Sequence, residues 1–244
     1  MKEIFSRCEL FLGSDFQETL SKKHIIIVGL GGVGSFACEA LTRIGIGNFT
    51  LVDFDKITES NINRQLFALN STLGQKKTFL AQKRCEDINP NIKINVLDSF
   101  YTKNLNEQLF ENKPDFVVDA IDTLRSKIEL LEYCHQNQIP IISSLGAGNR
   151  IIPEALKISD LKDIQAKKCV FTKNVLYQLN KRKITEGIPF VISDEPPAKV
   201  KKVQITERVG DIEYEKITPA SVSFVPPVAG YIMAGHIVRS FLNE

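Results

Sequence analysis

The chain of 244 residues is 43% hydrophobic and 25% charged, which excludes a disordered or fibrous polymer and allows a full buried core. Its formal net charge of +2 excludes a strong global field, so any nucleic-acid surface has to be local. Cys8, Cys38, Cys85, Cys134 and Cys169 are odd in number and never form a C-x-x-C pair; this excludes a disulfide framework and points to reduced thiols in a cytosol-like compartment. The start lacks an apolar secretory run, and no stretch reaches the eighteen or so apolar residues of a membrane span. A soluble, cytoplasmic protein with no membrane partner is expected.

Residues 1–22 read as a helical leader. Ile25-Ile26-Ile27-Val28 then reads as a strand buried on both faces, and the glycine run from Gly29 to Gly34 as a strand-to-helix turn opening a helix at about Val33. Gly29 permits the turn, Gly31 and Gly32 let the backbone approach an anion, and Gly34 lets helix and strand pack. That helix stops at Gly45 and a second strand covers Phe49 to Val52. Asp53 follows, where an acidic residue roughly twenty positions beyond the glycines reads a ribose hydroxyl or simply ends a strand in solvent. A helical pattern from Leu73 to Ile88, a strand from Ile92 to Val96 and a buried strand from Asp115 to Asp122 come next. A helix over 125–137 and a strand over 140–144 complete a Rossmann-like, doubly wound, mostly parallel α/β sheet.

Beyond Ile151 the pattern becomes a smaller mixed α+β subregion. Strand-like runs cover 155–158, 190–193 and 200–206, with a helix near 173–181, a hairpin tip at 210–215 and a closing helix after Pro226 to Gly230 that runs to Phe241. The expected organisation is one domain over 1–244, with a nucleotide-binding part at 1–150 and a substrate and dimer subregion at 151–244. His24, His135 and His236 read as structural.

The glycine loop, Asp53, Arg64, Lys77 and Asp122 together offer backbone donors, a ribose acceptor, two cations and a carboxylate. That set suits a triphosphate better than a nicotinamide, because cleaving a triphosphate needs cations at the migrating oxygens and a carboxylate for magnesium. Taken singly, Arg64 and Lys77 also fit a solvated helix face, and Asp122 a helix N-cap.

The successive motifs Gly29-Leu-Gly-Gly-Val-Gly-Ser35, Val52-Asp-Phe-Asp55, Asn61-Ile-Asn-Arg-Gln65, Gly74-Gln-Lys-Lys77 and Asp119-Ala-Ile-Asp122 resemble those of the ubiquitin-activating-like superfamily that includes ThiF, MoeB and HesA. The resemblance implies carboxylate adenylation with ATP and Mg2+. It implies a nucleotide site of Gly29, Gly31, Gly32, Val33, Gly34, Asp53, Asp55 and Asn61, with Arg64 and Lys77 on the phosphates and Asp122 on magnesium. Arg7 sits where the superfamily has an arginine that enters the neighbouring subunit's site, which implies a homodimer.

Ser144-Leu-Gly-Ala-Gly-Asn-Arg150 and Ser221-Val-Ser-Phe-Val-Pro-Pro-Val-Ala-Gly230 are similar to the branch of tRNA threonylcarbamoyladenosine dehydratases. Membership of that branch implies a tRNA partner, with a cysteine desulfurase or a sulfur-acceptor protein as a further one. A sulfur-carrier activator is the alternative, with Cys169 as its only crossover thiol in the second half, and a non-catalytic nucleotide-binding adaptor is the third. The run Lys162, Lys167, Lys168, Lys173, Lys181, Arg182, Lys183, Lys199, Lys201 and Lys202 reads as a track for RNA phosphates or as a solvated basic face.

Overall fold

The computed structural model describes residues 3–165, 169–200, 204–209, 212–217 and 219–242. Strand β1 (His24–Val28) buries Ile25 to Val28 to 2% exposure or less. It pairs in parallel with β2 (Asn48–Val52) on one side and β4 (Phe116–Asp119) on the other. β3 (Lys93–Leu97) flanks β2, β5 (Ile141–Ser144) flanks β4, and β7 (Pro189–Ser193) continues the parallel run. β6 (Leu156–Asp160) closes the edge antiparallel to β7, giving the order β3-β2-β1-β4-β5-β7-β6. Strand order reverses between β1 and β4, and in such sheets ligands bind at the carboxyl ends of the strands there.

Alternate residues of β1 feed two cores. Ile25 and Ile27 pack with α3 (Gly34–Ile44), α4 (Lys77–Ile88) and α8 (Val225–Leu242); Ile26 and Val28 pack with α6 (Leu124–Gln136) and α7 (Val170–Lys181). Helix α8 crosses α3 so closely that a Cβ on Gly230 would lie 2.9 Å from the Ala37 nitrogen. No described helix is long and apolar enough to cross a membrane.

The leader is two helices, α1 (Ser6–Leu12) and α2 (Ser14–Lys22), parted at Gly13 with φ 87°. The strand read over 115–122 stops at Asp119, so Asp122 lies in the loop beyond it. The helix read from Leu73 starts only at Lys77, after a turn in which Gly74 has φ 79°. The closing helix begins at Val225 and takes both prolines into its first turn, where a missing N–H costs no hydrogen bond. A short helix, α5 (Asn106–Leu109), had no sequence signal. Residues 212–215, read as a hairpin tip, belong to strand β9 (Ile212–Ile217), antiparallel to β8 (Gln204–Val209); the tip residues 210 and 211 lie outside the described residues.

Helices α3 and α4 are tied by Glu39, whose carboxylate accepts from Arg84 Nε at 2.7 Å and Nη2 at 2.8 Å and from Arg43 Nε at 2.7 Å. Burial alone would raise the Glu39 carboxyl, but the two guanidiniums outweigh it and hold it below the ordinary glutamate range. A depressed carboxyl stabilises the fold above the unfolded-state value and loses that contribution as pH falls through the folded one. Glu39→Gln should therefore cost about 1 kcal/mol at neutral pH, discounted because both arginines are partly exposed. Urea melts at neutral pH and below pH 4 should show the difference from the parent shrinking on the acid side.

Candidate functional site

The glycine turn sits at the carboxyl end of β1, at the point where strand order reverses. Gly29 has φ 92°, and a Cβ there would lie 2.8 Å from the Ala120 carbonyl oxygen beyond β4. A side chain would strain the backbone and push β4 away. The stem of Arg64 and Pro226 of α8 flank the next turn of the loop, 3.3 Å and 3.0 Å from the place of a Cβ on Gly32.

Asp53 braces this loop. Its Oδ2 accepts from the Leu30 N–H at 2.7 Å and its Oδ1 from the Asp55 N–H at 2.8 Å. Burial pushes the Asp53 carboxyl up, against the pull of the Lys77 ammonium and those two N–H groups. Asp55, more exposed, accepts from Lys77 Nζ at 2.7 Å, and Lys77 is itself buried at the first turn of α4. Backbone bonds from Lys77 N to Asp55 O and from Ile57 N to Gln75 O lock the two segments together.

Arg64 donates from Nη1 to the Ser60 carbonyl and to Asn63 Oδ1, both at 2.8 Å. Burial presses its guanidinium below its ordinary value, and the charge of the Asp122 carboxylate opposes that shift. Asn61 caps the short turn before Arg64, its Oδ1 accepting from the Thr58 N–H at 3.2 Å. Gly29 to Gly34, Asp53, Asp55, Asn61, Arg64, Lys77 and Asp122 thus come together around one edge of the sheet.

Arg7 does not join them within the chain. It lies exposed on α1, two residues after Phe5, which packs at Gly45. Gly45 ends the helix that the glycine loop begins, about 16 Å away along eleven residues.

Charges that the sequence reading missed lie beneath the site. Lys127 and Asp119 are both 0% exposed; Lys127 Nζ donates to Asp119 Oδ2 at 2.6 Å and to Ser143 Oγ at 3.0 Å, and Ser143 Oγ donates to Asp119 Oδ2 at 2.7 Å. The other oxygen of Asp119 accepts from the Ile121 N–H at 3.0 Å, fixing the turn that presents Asp122. The signal was a lysine on the apolar face of α6, three residues after Leu124 and four before Leu131. Gln65 was missed too: it is buried beside Gly31, and its Oε1 has no hydrogen-bond partner among the described residues.

Cys169 precedes α7 near Gly146 and Arg150. Burial would raise its thiol, but the Thr172 hydroxyl and N–H and the Arg150 guanidinium outweigh it and hold it below its ordinary value. Lys162, Lys173, Lys181, Arg182, Lys183 and Lys199 are exposed, whereas Lys167, Lys168, Lys201 and Lys202 lie outside the described residues. His24 bonds Thr50 Oγ1 at 2.9 Å, and the His236 ring meets Phe116 edge-on, so neither faces the loop.

The sheet order and the glycine turn at its switch point define a Rossmann-like α/β protein. The chain belongs to the ThiF family, whose model matches residues 5–244. It is 41% identical, over 100% of its own length and 96% of the relative's, to a tRNA threonylcarbamoyladenosine dehydratase of Bacillus subtilis (strain 168). The crystal structure of Escherichia coli tRNA N6-threonylcarbamoyladenosine dehydratase in complex with AMP superposes with a TM-score of 0.87 at 28% identity, covering 99% of this chain and 95% of that one. A molybdopterin-synthase adenylyltransferase of Haemophilus influenzae is 37% identical over only 56% of this chain and 55% of its own.

Breaking a buried pair from one side leaves an uncompensated charge, which costs about 3–5 kcal/mol. Lys127→Met should lose that much in urea unfolding, and adding Asp119→Asn should restore a large part of it. A double variant whose loss equals the sum of the Lys127→Met and Asp119→Asn losses would show that the pair is not coupled.

Proposed function

We propose that this protein is an ATP-dependent tRNA-modifying enzyme that adenylates the carboxylate of threonylcarbamoyl-adenosine and cyclises it with loss of water. The observation that carries the reading is the chain-long 41% identity to a dehydratase of that name. The adenylyltransferase relative matches only 56% of this chain and 55% of its own, so the likeness to carrier-protein activators is the less complete of the two.

In this reading the glycine loop and the first turn of α3 receive the phosphates on backbone N–H groups, and Asp53 and Asp55 face the ribose. Arg64 and Lys77 balance the charge that grows on the leaving pyrophosphate. A carboxylate oxygen of the substrate bonds to the α-phosphorus as the bond to pyrophosphate breaks. The substrate's own ureido arm then bonds to the acyl carbon and gives up a proton to solvent as the bond from that carbon to AMP breaks, so that AMP carries the oxygen away as the ring closes. Because nucleophile and acyl group belong to one molecule, the second step needs positioning rather than a catalytic thiol.

Among the described residues no group of three His, Cys, Asp or Glu is placed to hold a metal ion. That donor set fits magnesium carried on the triphosphate and met by one carboxylate, Asp122, since Mg2+ keeps waters and phosphate oxygens as most of its ligands. When bound, the ion would neutralise phosphate charge; Asp122 would hold it, and the Asp119 turn would hold Asp122.

Nucleoside mass spectrometry of threonylcarbamoylated tRNA incubated with the protein and magnesium ATP tests the reading. Loss of one water from the modified adenosine with release of AMP and pyrophosphate is expected, and Arg64→Ala or Lys77→Ala should slow it about 100-fold or more. An unmodified mass from a protein that binds ATP would overturn it.

Arg7, displaced from its own chain's site, fits a homodimer in which each subunit lends this arginine to the other. Arg7→Ala and Lys77→Ala proteins, each inactive alone, should then regain about a quarter of parental activity when mixed, because half the random dimers hold one complete site of two. No gain on mixing, with subunit exchange shown by mass, would place Arg7 outside the site.

A further inference from the structure

We infer that the outward face of α7 is the surface along which this protein holds RNA, with Tyr177 as a stacking platform between two lysines. The inference rests on the tRNA reading above and adds to it the place of docking.

The sequence concentrates charge here. Between Ile164 and Thr185 there is no Asp or Glu, against Lys167, Lys168, Lys173, Lys181, Arg182 and Lys183, in a chain whose formal net charge is only +2. Helix geometry then sorts the residues. Thr172, Val175 and Leu179 turn inward and are buried, while Val170, Lys173, Asn174, Tyr177 and Lys181 share the opposite face and are exposed. Arg182 is exposed too, but its charge is offset by Glu132, whose Oε2 is 3.1 Å from its Nε, and its Nη1 bonds Gln178.

A solvated basic face would account for the lysines. It does not account for Tyr177 at 60% and Val170 at 70% exposure, large side chains that contribute nothing to the core from this position. Lys181 Nζ lies 5.4 Å from the Tyr177 ring centroid, which orients the ring and leaves its other face to solvent. Lys173 stands one turn before the ring and Lys181 one turn after, about 6 Å either way along the axis. Cations spaced around an exposed aromatic ring fit a single-stranded backbone with an unpaired base on the ring. An acidic protein surface would be met by the lysines alone.

The position suits a substrate that also reaches the site. Cys169, just before α7, is 3.6 Å from the place of a Cβ on Gly146, in the loop that follows β5. β5 pairs with β4 through Asp119 and Ser143, beneath Asp122. The face therefore starts at the carboxyl edge of the sheet and runs about 18 Å along its flank.

Fluorescence anisotropy of an unmodified full-length tRNA transcript, titrated at several salt concentrations with the full chain, tests this apart from chemistry. Tyr177→Ala should weaken binding about 5- to 150-fold with the salt slope unchanged, the range measured for loss of one stacked base. Lys173→Gln with Lys181→Gln should flatten the slope of log affinity against log salt by about 1.4, as for two phosphates of a single strand. AMP binding and melting temperature should match the parent in all variants, which separates docking from folding and from the nucleotide site. Parental affinity and slope in both variants would overturn the assignment, and changed sedimentation alongside them would give the face to a second copy of the chain. A parent protein that binds no tRNA at any salt, while still binding AMP, would overturn the functional reading and this surface with it.

Discussion

The contact between the glycine turn and the segment beyond β4 is the constraint on which the rest of the molecule depends. A Cβ on Gly29 would sit 2.8 Å from the Ala120 carbonyl oxygen, and one on Gly34 would lie 3.2 Å from the Ala120 side chain as well as colliding with the Gly29 backbone. The ends of β1 and β4 can approach this closely only because Gly29 and Gly34 carry no side chain. Their approach makes the switch point narrow, places the first turn of α3 over it, and brings Asp53 within reach of the Leu30 N–H. Widening it by one methyl group would separate the loop from the carboxylates at the ends of both neighbouring strands.

Below that contact the site rests on buried charge rather than on apolar packing alone. Asp119, Lys127 and Ser143 satisfy one another with no exposure, and Asp119 uses its second oxygen to hold the following turn. Such a pair is weak evidence for added stability, since its desolvation cost is large, but its hydrogen bonds fix direction. Asp53 and Asp55 repeat the pattern one strand over, with Lys77 as their cation. Strand-end carboxylates, each tied to a loop N–H and set beside a lysine, give the loops at this edge their shape.

Much of this was legible in the sequence because one residue type decided each feature. Ile25 to Val28 admit no exposed face, Gly45 with φ 101° stops α3, and five ordered motifs specify the loop and its partners. The misreadings share a cause: local pattern meets tertiary context. Pro226 and Pro227 look like a break but occupy the turn where a helix needs no N–H. Lys127 looks like a solvated charge until Asp119 is brought beneath it by β4. Gln65 lies inside a recognised motif, yet its burial comes from folding the Asn61 to Gln65 turn against Gly31. Arg7 lies on the exposed side of α1, away from the glycine loop of its own chain, and no local pattern around it says so.

The thiols bear on how an activated carboxylate would be used. Cys38 and Cys85 lie 3.4 Å apart between α3 and α4, and burial pushes Cys134 far above the ordinary thiol range, so none of the three is an accessible nucleophile. Cys169, less buried than those three, is held low by its surroundings, but those surroundings are Thr172 and Arg150 at the start of α7, and no described contact joins it to Lys77 or Asp53. A thioester route would have to carry an acyl group from the glycine loop to that helix. A substrate that supplies its own nucleophile needs no such transfer, because acyl group and nucleophile already belong to one molecule.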